Sequence, residues 1–301
     1  MSIRLISWRR CKAIEAMTFD QALKRARERL AATSSTAALD AEVLLLALSG
    51  KSRAWLYGFG DTELESTLAA RFDEWVERRA AGEPVAYLLG FREFFGLQLE
   101  VSRATLIPRP DTELLVEQAL ALAGTASGRA LDLGTGSGAI ALAFASQRTD
   151  WLVTGCDRVP DAVTLAQRNA ERLGLGNTRW LHSRWFDHHE LAPHSFALIM
   201  SNPPYIAEHD CHLDQGDVRF EPRSALVAGS DGLDDIREII AASPRYLTSP
   251  GWLLLEHGYD QASAVRHLME QHGFAQIASA RDLGGHERVT FGQYVAAANA
   301  G

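Results

Sequence analysis

The chain has 301 residues, of which 47% are hydrophobic and 23% charged, and its formal net charge is -8. That composition is typical of a water-soluble globular protein long enough for two domains with cores of their own. The acidic balance argues against a protein whose main task is gripping nucleic-acid phosphates. Cys11, Cys156 and Cys211 are far apart, odd in number and in no metal-ligand spacing, which argues against a disulfide framework and suits a reducing compartment. No apolar run is long enough to span a bilayer. Residues 1–16 are basic but lack a sustained apolar core and a small-residue cleavage site, so they are not expected to be a signal peptide, and Met17 is an alternative start.

Helical periodicity comes first along the chain. Phe19, Ala22, Leu23, Ala26 and Leu30 mark one helix face, and residues 40–48 form a second, strongly apolar stretch. Leu64, Leu68, Phe72, Trp75, Val76 and Arg79 predict a third helix over 64–80, closed by Gly82 and Pro84. Between residues 87 and 105 the period changes: Phe94, Phe95, Leu97, Leu99 and Val101 alternate about Gly96, as in a β-hairpin. Pro108 and Pro110 punctuate the chain, and Asp111-Thr112 can cap a helix over 113–123. Seven short apolar runs follow, at 130–133, 151–156, 178–181, 196–200, 252–256, 274–280 and 289–294. Amphipathic stretches at 139–146, 161–173, 233–242 and 261–272 lie between several of them. The alternation predicts an α/β fold, a parallel sheet with helices on both faces and a ligand site beyond the carboxyl ends of its strands. The expected domains are a helical N-terminal domain over 1–86, a hairpin linker over 87–108 and an α/β domain over 109–301.

The first of these runs ends in Leu131-Asp132-Leu133-Gly134-Thr135-Gly136-Ser137-Gly138-Ala139. Its glycines permit a tight strand-to-helix turn and close approach of a ligand to the backbone. The pattern also satisfies the loose dinucleotide fingerprint, and Asp157, at the end of the second strand, suits a ribose under either reading. Two details favour an adenosyl ligand carrying an ammonium and a sulfonium charge: Asp132 adds a carboxylate where a pyrophosphate wants none, and the third glycine, Gly138, comes early. The fourth strand runs into Ser201-Asn202-Pro203-Pro204-Tyr205. The prolines make a rigid edge with free carbonyls. Asn202 and the backbone near Pro203 can accept both hydrogens of one –NH2 group, and Tyr205 offers a flat face for a planar amide or base. An amide nitrogen is a poor nucleophile, so positioning against an already activated methyl donor has to do most of the work. The chemistry indicated is methyl transfer from S-adenosylmethionine to a planar nitrogen.

The same segments resemble the bacterial release-factor glutamine N5-methyltransferases, the PrmC/HemK family. The likeness runs from about residue 19 to residue 294. It is carried by Gly82-Glu83-Pro84-Val85-Ala86-Tyr87-Leu88, Phe91-Arg92-Glu93-Phe94, Leu106-Ile107-Pro108-Arg109-Pro110-Asp111-Thr112-Glu113, the Gly134 loop, Ser201 to Ile206, Asp217-Val218-Arg219-Phe220-Glu221-Pro222 and Glu256-His257-Gly258. Membership implies a Rossmann-like, seven-stranded class I methyltransferase sheet with a small all-helical N-terminal domain. The implied substrate is the glutamine of the Gly-Gly-Gln motif in class-1 peptide-chain release factors. Carried over to this chain, Asp132, Gly134, Thr135, Gly136, Ser137, Gly138, Asp157 and Trp185 bind S-adenosylmethionine. Asn202, Pro203, Pro204 and Tyr205 hold the substrate glutamine, Asn202 touching the cofactor as well, and Asn202, Pro203 and Tyr205 carry the catalysis. Relatives that methylate a ribosomal-protein glutamine read Arg-Ser-Pro where this chain has Arg109-Pro110-Asp111-Thr112, which favours the release-factor branch. The family has an acidic or amide residue before the aromatic at the adenine edge, and Arg184, which cannot accept a hydrogen bond, stands there instead.

Other readings stay open on the residues alone. A nucleic-acid base amino group suits the same clamp but wants a basic groove; an NAD enzyme leaves the clamp unexplained; a non-catalytic binding protein has only Arg184 in its favour. No metal site is expected. His209, Asp210, Cys211, His212 and Asp214 fit no closed tetrahedral spacing and read as a polar loop bordering the substrate entrance, with His188-His189 as surface loop residues. Arg4, Arg9, Arg10, Lys12, Lys24, Arg25, Arg27 and Arg29 make a basic stretch, either a solvated face or a dock for an acidic partner. The expected protein is a cytoplasmic monomer without direct nucleic-acid or membrane binding.

Overall fold

The computed structural model describes residues 17–214 and 216–296, and of His212 and Asp214 only the backbone. Cys11, the basic residues Arg4, Arg9, Arg10 and Lys12, and the choice of start lie outside the described residues. The chain divides into two compact units between Leu89 and Gly90.

The first unit is helical: α1(Phe19–Leu30), α2(Ala37–Ser49), α3(Arg53–Phe59), α4(Ser66–Ala80) and α5(Val85–Leu89). A capping box starts α1, with Thr18 Oγ1 accepting from the Gln21 N–H and Gln21 Oε1 accepting from the Thr18 N–H. The apolar faces read from the sequence meet in one core around Leu23, Leu30, Leu44, Leu45 and Phe72. Arg79, which falls at an apolar position of α4, is nearly buried there. Its Nε donates to Asp40 of α2 at 2.7 Å, so a buried ion pair fills the place of an apolar contact. The short α3 and α5 were not anticipated, since one or two turns give no periodic face to detect. The basic face is only partly a free cationic surface. Arg25 pairs with Asp73, and Arg29 with Glu77 at 2.7 Å, joining α1 to α4.

The second unit opens with the hairpin β1(Phe91–Phe94) and β2(Leu97–Glu100). Phe94 faces Leu97, so the turn is Phe95-Gly96, with φ of 52° and 74°. Two positive φ values make the two-residue turn whose twist matches its strands. A 3₁₀ turn over Pro110–Thr112 leads into α6(Glu113–Ala123). Next come β3(Arg129–Leu133), α7(Ala139–Gln147), β4(Leu152–Asp157), α8(Pro160–Leu173), β5(Thr178–His182), β6(Phe196–Ser201), α9(Asp234–Ala242), β7(Leu247–Glu256), α10(Ala262–Gln271), β8(Phe274–Arg281) and β9(Glu287–Tyr294).

These seven strands form one sheet in the order β5-β4-β3-β6-β7-β9-β8. The five strands of the β5-to-β7 half run parallel, as expected. The expectation of a parallel sheet fails at one strand: β9 pairs antiparallel to β7, and β8 and β9 pair antiparallel to each other, so β8 keeps the direction of the parallel strands. No helix separates these two strands, and a short turn can only return the chain antiparallel. Alternate residues of the central strands feed two cores. Ala130, Leu198, Met200 and Leu254 face α6 and α7. Leu131, Leu133, Ile199, Leu253 and Leu255 face Ile236, Ile239, Ile240, Val265 and Met269 of α9 and α10.

Register sets the site. Leu133 lies opposite Cys156 and Ser201, and Ser201 opposite Leu255. The loop after β3, the end of β4, Asn202 and Glu256 therefore arrive at one edge of the sheet. At the far end, β8 is irregular: its pairing slips between Ala275 and Ala278, where Gln276 has φ of 50°. A second slip leaves Arg288 as the extra residue of β9.

Candidate active site

A cleft with about 890 Å³ of unfilled space, its open mouth included, lies at that edge. Its walls include Gly134, Thr135, Gly136, Ser137, Asp157, Trp185, Asn202 and Pro204, so the glycine loop and the front of the clamp share one cavity. Asp132, Gly138, Pro203 and Tyr205 are not among its lining residues and stand behind it.

The loop is built by three glycines in the left-handed region, Gly134, Gly136 and Gly138, with φ of 71°, 57° and 85°. Gly138 also has no room for a side chain, since a Cβ there would lie 2.9 Å from Leu142 and 3.1 Å from Ala166 and Trp180. Asp157 accepts from the Gly136 and Val159 N–H groups at 2.9 Å each. These bonds orient its carboxylate at the cleft, and a carboxylate offers about four lone-pair sites, so capacity for two vicinal hydroxyls remains. The loop, the oriented acid and an aromatic wall fit an adenosyl ligand. Trp185 supplies that wall: a Cβ on Gly134 would come within 3.3 Å of its ring, and the residue is held at φ of 45°.

Asp132 is fully buried in β3. Its Oδ2 accepts from Thr135 Oγ1 at 2.6 Å and from the Ala141 N–H at 3.3 Å, while Oδ1 has no hydrogen-bond partner. Burial pushes its carboxyl up to about 7 against those two hydrogen bonds. It braces the loop and the first turn of α7 from beneath. Asn169 of α8, also fully buried, braces the loop from the side: Nδ2 donates to the carbonyls of Ser137 and Glu100, and Oδ1 accepts from the Glu100 N–H at 2.7 Å. It ties β2 to the loop. Sequence reasoning passed over it, although an amide in the apolar stripe Ala162, Leu165, Ala166, Asn169, Ala170 was a visible signal.

The clamp is held by segments whose likeness to the family had no role attached. The Asn202 Nδ2 donates to Thr112 Oγ1 at 3.1 Å, which leaves Asn202 Oδ1 as a free acceptor in a cleft-lining residue. Tyr205 donates its phenol to Glu256 Oε1 at 3.4 Å, and its carbonyl accepts from Gln261. Burial raises the Tyr205 phenol far above its usual range, and the Glu256 carboxyl to about 7. Glu221, beyond the clamp, is buried; it accepts from the Ile107 N–H at 3.1 Å and pairs with Arg109. Burial lifts its carboxyl, while the Arg109 guanidinium opposes the rise. Arg288 lies 3.9 Å from Asp111. The Arg109–Thr112, Asn202–Tyr205, Asp217–Pro222 and Glu256–Gly258 segments thus converge on one site.

Arg184 is among the residues that line the cleft, but its guanidinium is engaged elsewhere. Its guanidinium makes a two-pronged contact with Glu238 of α9, at 2.6 and 2.5 Å. Among the described residues, one group, His188, His189 and Glu190, has donor atoms within 4.8 Å of one another. It lies outside the cleft, its imidazoles stack on each other and Glu190 pairs with Arg179. In the loop after the clamp His209 and Cys211 are exposed, and the side chains of His212 and Asp214 lie outside the described residues.

Comparison with known proteins agrees with this arrangement. Residues 21–90 match the PrmC N-terminal domain family and residues 110–219 the Methyltransferase small domain family. The release factor glutamine methyltransferase of Pseudomonas aeruginosa is 56% identical over 87% of this chain and 94% of its own length. That of Escherichia coli K12 is 51% identical over 92% of this chain and 99% of its own. The solved hMettl16 catalytic domain, in complex with the MAT2A 3'UTR hairpin 1, covers 86% of this chain and 92% of its own with a TM-score of 0.56. At 15% identity that likeness concerns the fold alone. Sheet, glycine loop and cleft define a class I, S-adenosylmethionine-dependent methyltransferase. Within that class, the chain belongs to the release factor glutamine methyltransferase family.

Proposed function

We propose that the chain methylates the side-chain amide nitrogen of the glutamine in the Gly-Gly-Gln motif of class-1 peptide-chain release factors, and so modulates translation termination. The observation that carries this is the state of Asn202, whose amino group is spent on Thr112 while its carbonyl oxygen is left as an acceptor in the cleft it shares with the glycine loop. In this role Asn202 Oδ1 and the carbonyl near Pro203 accept the two N–H bonds of the substrate amide and aim its nitrogen. Pro204 stiffens the edge, and Tyr205, anchored through its phenol, supports the amide plane. The loop from Gly134 to Gly138, with Asp157 and Trp185, holds the cofactor, and Asp132 and Asn169 keep that loop in shape. S-adenosylmethionine, when bound, supplies an electrophilic methyl group. Positioning and dipoles are the protein's contribution, and no strong base is needed.

The two relatives named above are both release factor glutamine methyltransferases, which favours a protein substrate over nucleic acid, as does the net charge of -8. No helix among the described residues is long and apolar enough to cross a membrane. We take the enzyme to act as a cytoplasmic monomer, with its helical unit recognising the substrate. Incubation with methyl-labelled S-adenosylmethionine and either a release factor, its Gln→Ala variant or nucleic acid tests the proposal. Label is expected on the unmodified release factor alone; label on nucleic acid with none on the release factor sinks it.

A further inference from the structure

At the end of the clamp one side chain reaches four backbone groups. Gln261 stands at the N-terminal cap of α10, yet its side chain caps none of that helix's own N–H groups. Its Oε1 accepts from the Gly258 N–H at 2.8 Å. Its Nε2 faces three carbonyls, those of Tyr205 at 3.0 Å, Asp231 at 3.3 Å and Gly232 at 3.4 Å. A backbone N–H only donates and a carbonyl only accepts, so these partners leave the amide a single orientation. Two glycines make room for it. A Cβ on Gly232 would lie 2.2 Å from the Tyr205 oxygen and 2.8 Å from Gln261 Nε2, and one on Gly258 would lie 3.1 Å from Gln261 Oε1. Gly258 is itself held, because the Nδ1 of the buried His257 lies 2.8 Å from its carbonyl and Nε2 meets the Thr290 hydroxyl at 2.7 Å.

We propose that Gln261 is a positioning residue for methyl transfer, whose amide fixes the Tyr205 carbonyl and with it the place at which the clamp presents the substrate nitrogen. The inference rests on the reading of Asn202 to Tyr205 as the seat of the substrate amide. Pro203 and Pro204 have no N–H to offer, so the clamp is secured at its two ends. Its start continues β6, where Ser201 lies opposite Leu255, and Asn202 is tied to Thr112. Its end is tied by the Tyr205 carbonyl to Gln261 and by the Ile206 N–H to the Leu226 carbonyl at 2.9 Å.

Gln261 is not among the residues lining the cleft, so it touches neither reactant and acts through Tyr205. Without its Nε2–H donor, the Tyr205 oxygen is left beside the Asp231 and Gly232 carbonyls, which repel it. The end of the clamp then shifts, and a small misplacement of a reacting group is costly in rate. The glycine loop and Asp157 share no hydrogen bond with Gln261, so the cofactor's seat stays as it is.

Labelling of the release factor by wild type tests the reaction and is read first; no label there removes the reading of the clamp itself. Two variants then test the positioning role. Gln261→Met keeps the length of the side chain and loses its hydrogen bonds. Gln261→Glu keeps an oxygen for the Gly258 N–H but, ionised at about pH 8, has no hydrogen for Tyr205. Each is expected to lose roughly tenfold in kcat, with KM for the release factor and calorimetric affinity for S-adenosylmethionine little changed. The carbonyl is also read without turnover. Tyr205-Ile206 is the only Tyr-Ile pair in the chain, so ¹³C-carbonyl tyrosine combined with ¹⁵N-isoleucine gives one linked signal. Its carbon resonance is expected to move upfield in both variants as the hydrogen bond is lost; if one variant folds poorly, the other carries both readouts. A folded variant with the wild-type kcat, or a Tyr205 carbonyl signal that stays put, overturns the proposal while leaving the reaction itself standing.

Discussion

Single residues of the clamp divide into those that touch the cleft and those that hold them. Asn202→Ala removes the acceptor but no wall of the cofactor loop. It is expected to lower kcat/KM by about a hundredfold or more, the scale of one lost preorganised polar contact, while titration calorimetry finds nearly unchanged S-adenosylmethionine affinity. Arg184 is a different kind of residue. The sequence marks it as a misfit at the adenine edge, yet its charge is answered by Glu238 and both side chains are about half exposed. Such a pair contributes less than about 1 kcal/mol. Arg184→Ala should therefore leave cofactor affinity and stability nearly unchanged, measured by calorimetry and thermal unfolding. A large loss of affinity would mean that the guanidinium serves the ligand after all.

At the scale of elements, the glycine loop separates two demands that the sequence merges. Gly136 needs only its positive φ, for the nearest atom to a Cβ there is Thr105 Cβ at 3.8 Å, whereas Gly138 needs both its φ and the absence of a side chain. Gly136→Ala is expected to cost about 1–2 kcal/mol of backbone strain and to weaken cofactor binding. Gly138→Ala should lower the unfolding midpoint further, because packing strain adds to the same term. Asn169→Ala strands the Glu100 N–H and the carbonyls of Glu100 and Ser137, at a cost of roughly 2–4 kcal/mol; denaturant unfolding measures it. Much of this level was legible in the sequence. Period 3.6 gave the main helices, short apolar runs gave all seven strands, and the glycine spacing located the loop. Illegible were the reversed direction of β9, read as parallel, and the short helices α3 and α5. The polar layer behind the clamp was hidden for another reason: Thr112, Glu221 and Glu256 lie far apart in the chain, and only strand register brings them to one edge.

On the scale of the whole molecule, Asp132 and Glu256 give folding an unusual pH dependence. Both carboxyls are raised to about 7 in the fold, from ordinary values of 3.8 and 4.5. Below the ordinary values both states are protonated and the full stability is present; as pH rises toward 7 the unfolded chain loses these protons first, so stability falls, and above 7 it levels off. Paired acids such as Glu77, Asp150 and Asp231 are lowered and act oppositely, but they are exposed and screened. Urea unfolding at pH 5, 6, 7 and 8 should show the decline, and Asp132→Asn should flatten it. The irregular pairing of β8 has a consequence for how copies of the molecule meet. A sheet that is open at its ends offers rows of unpaired backbone donors and acceptors, the usual starting point of intermolecular strand addition and fibrous aggregates. The slip at Ala275–Ala278 and the left-handed Gln276 interrupt that row on β8. An incoming strand finds only short stretches in register, so the bulge guards the solubility of the enzyme at the side of the sheet remote from β5.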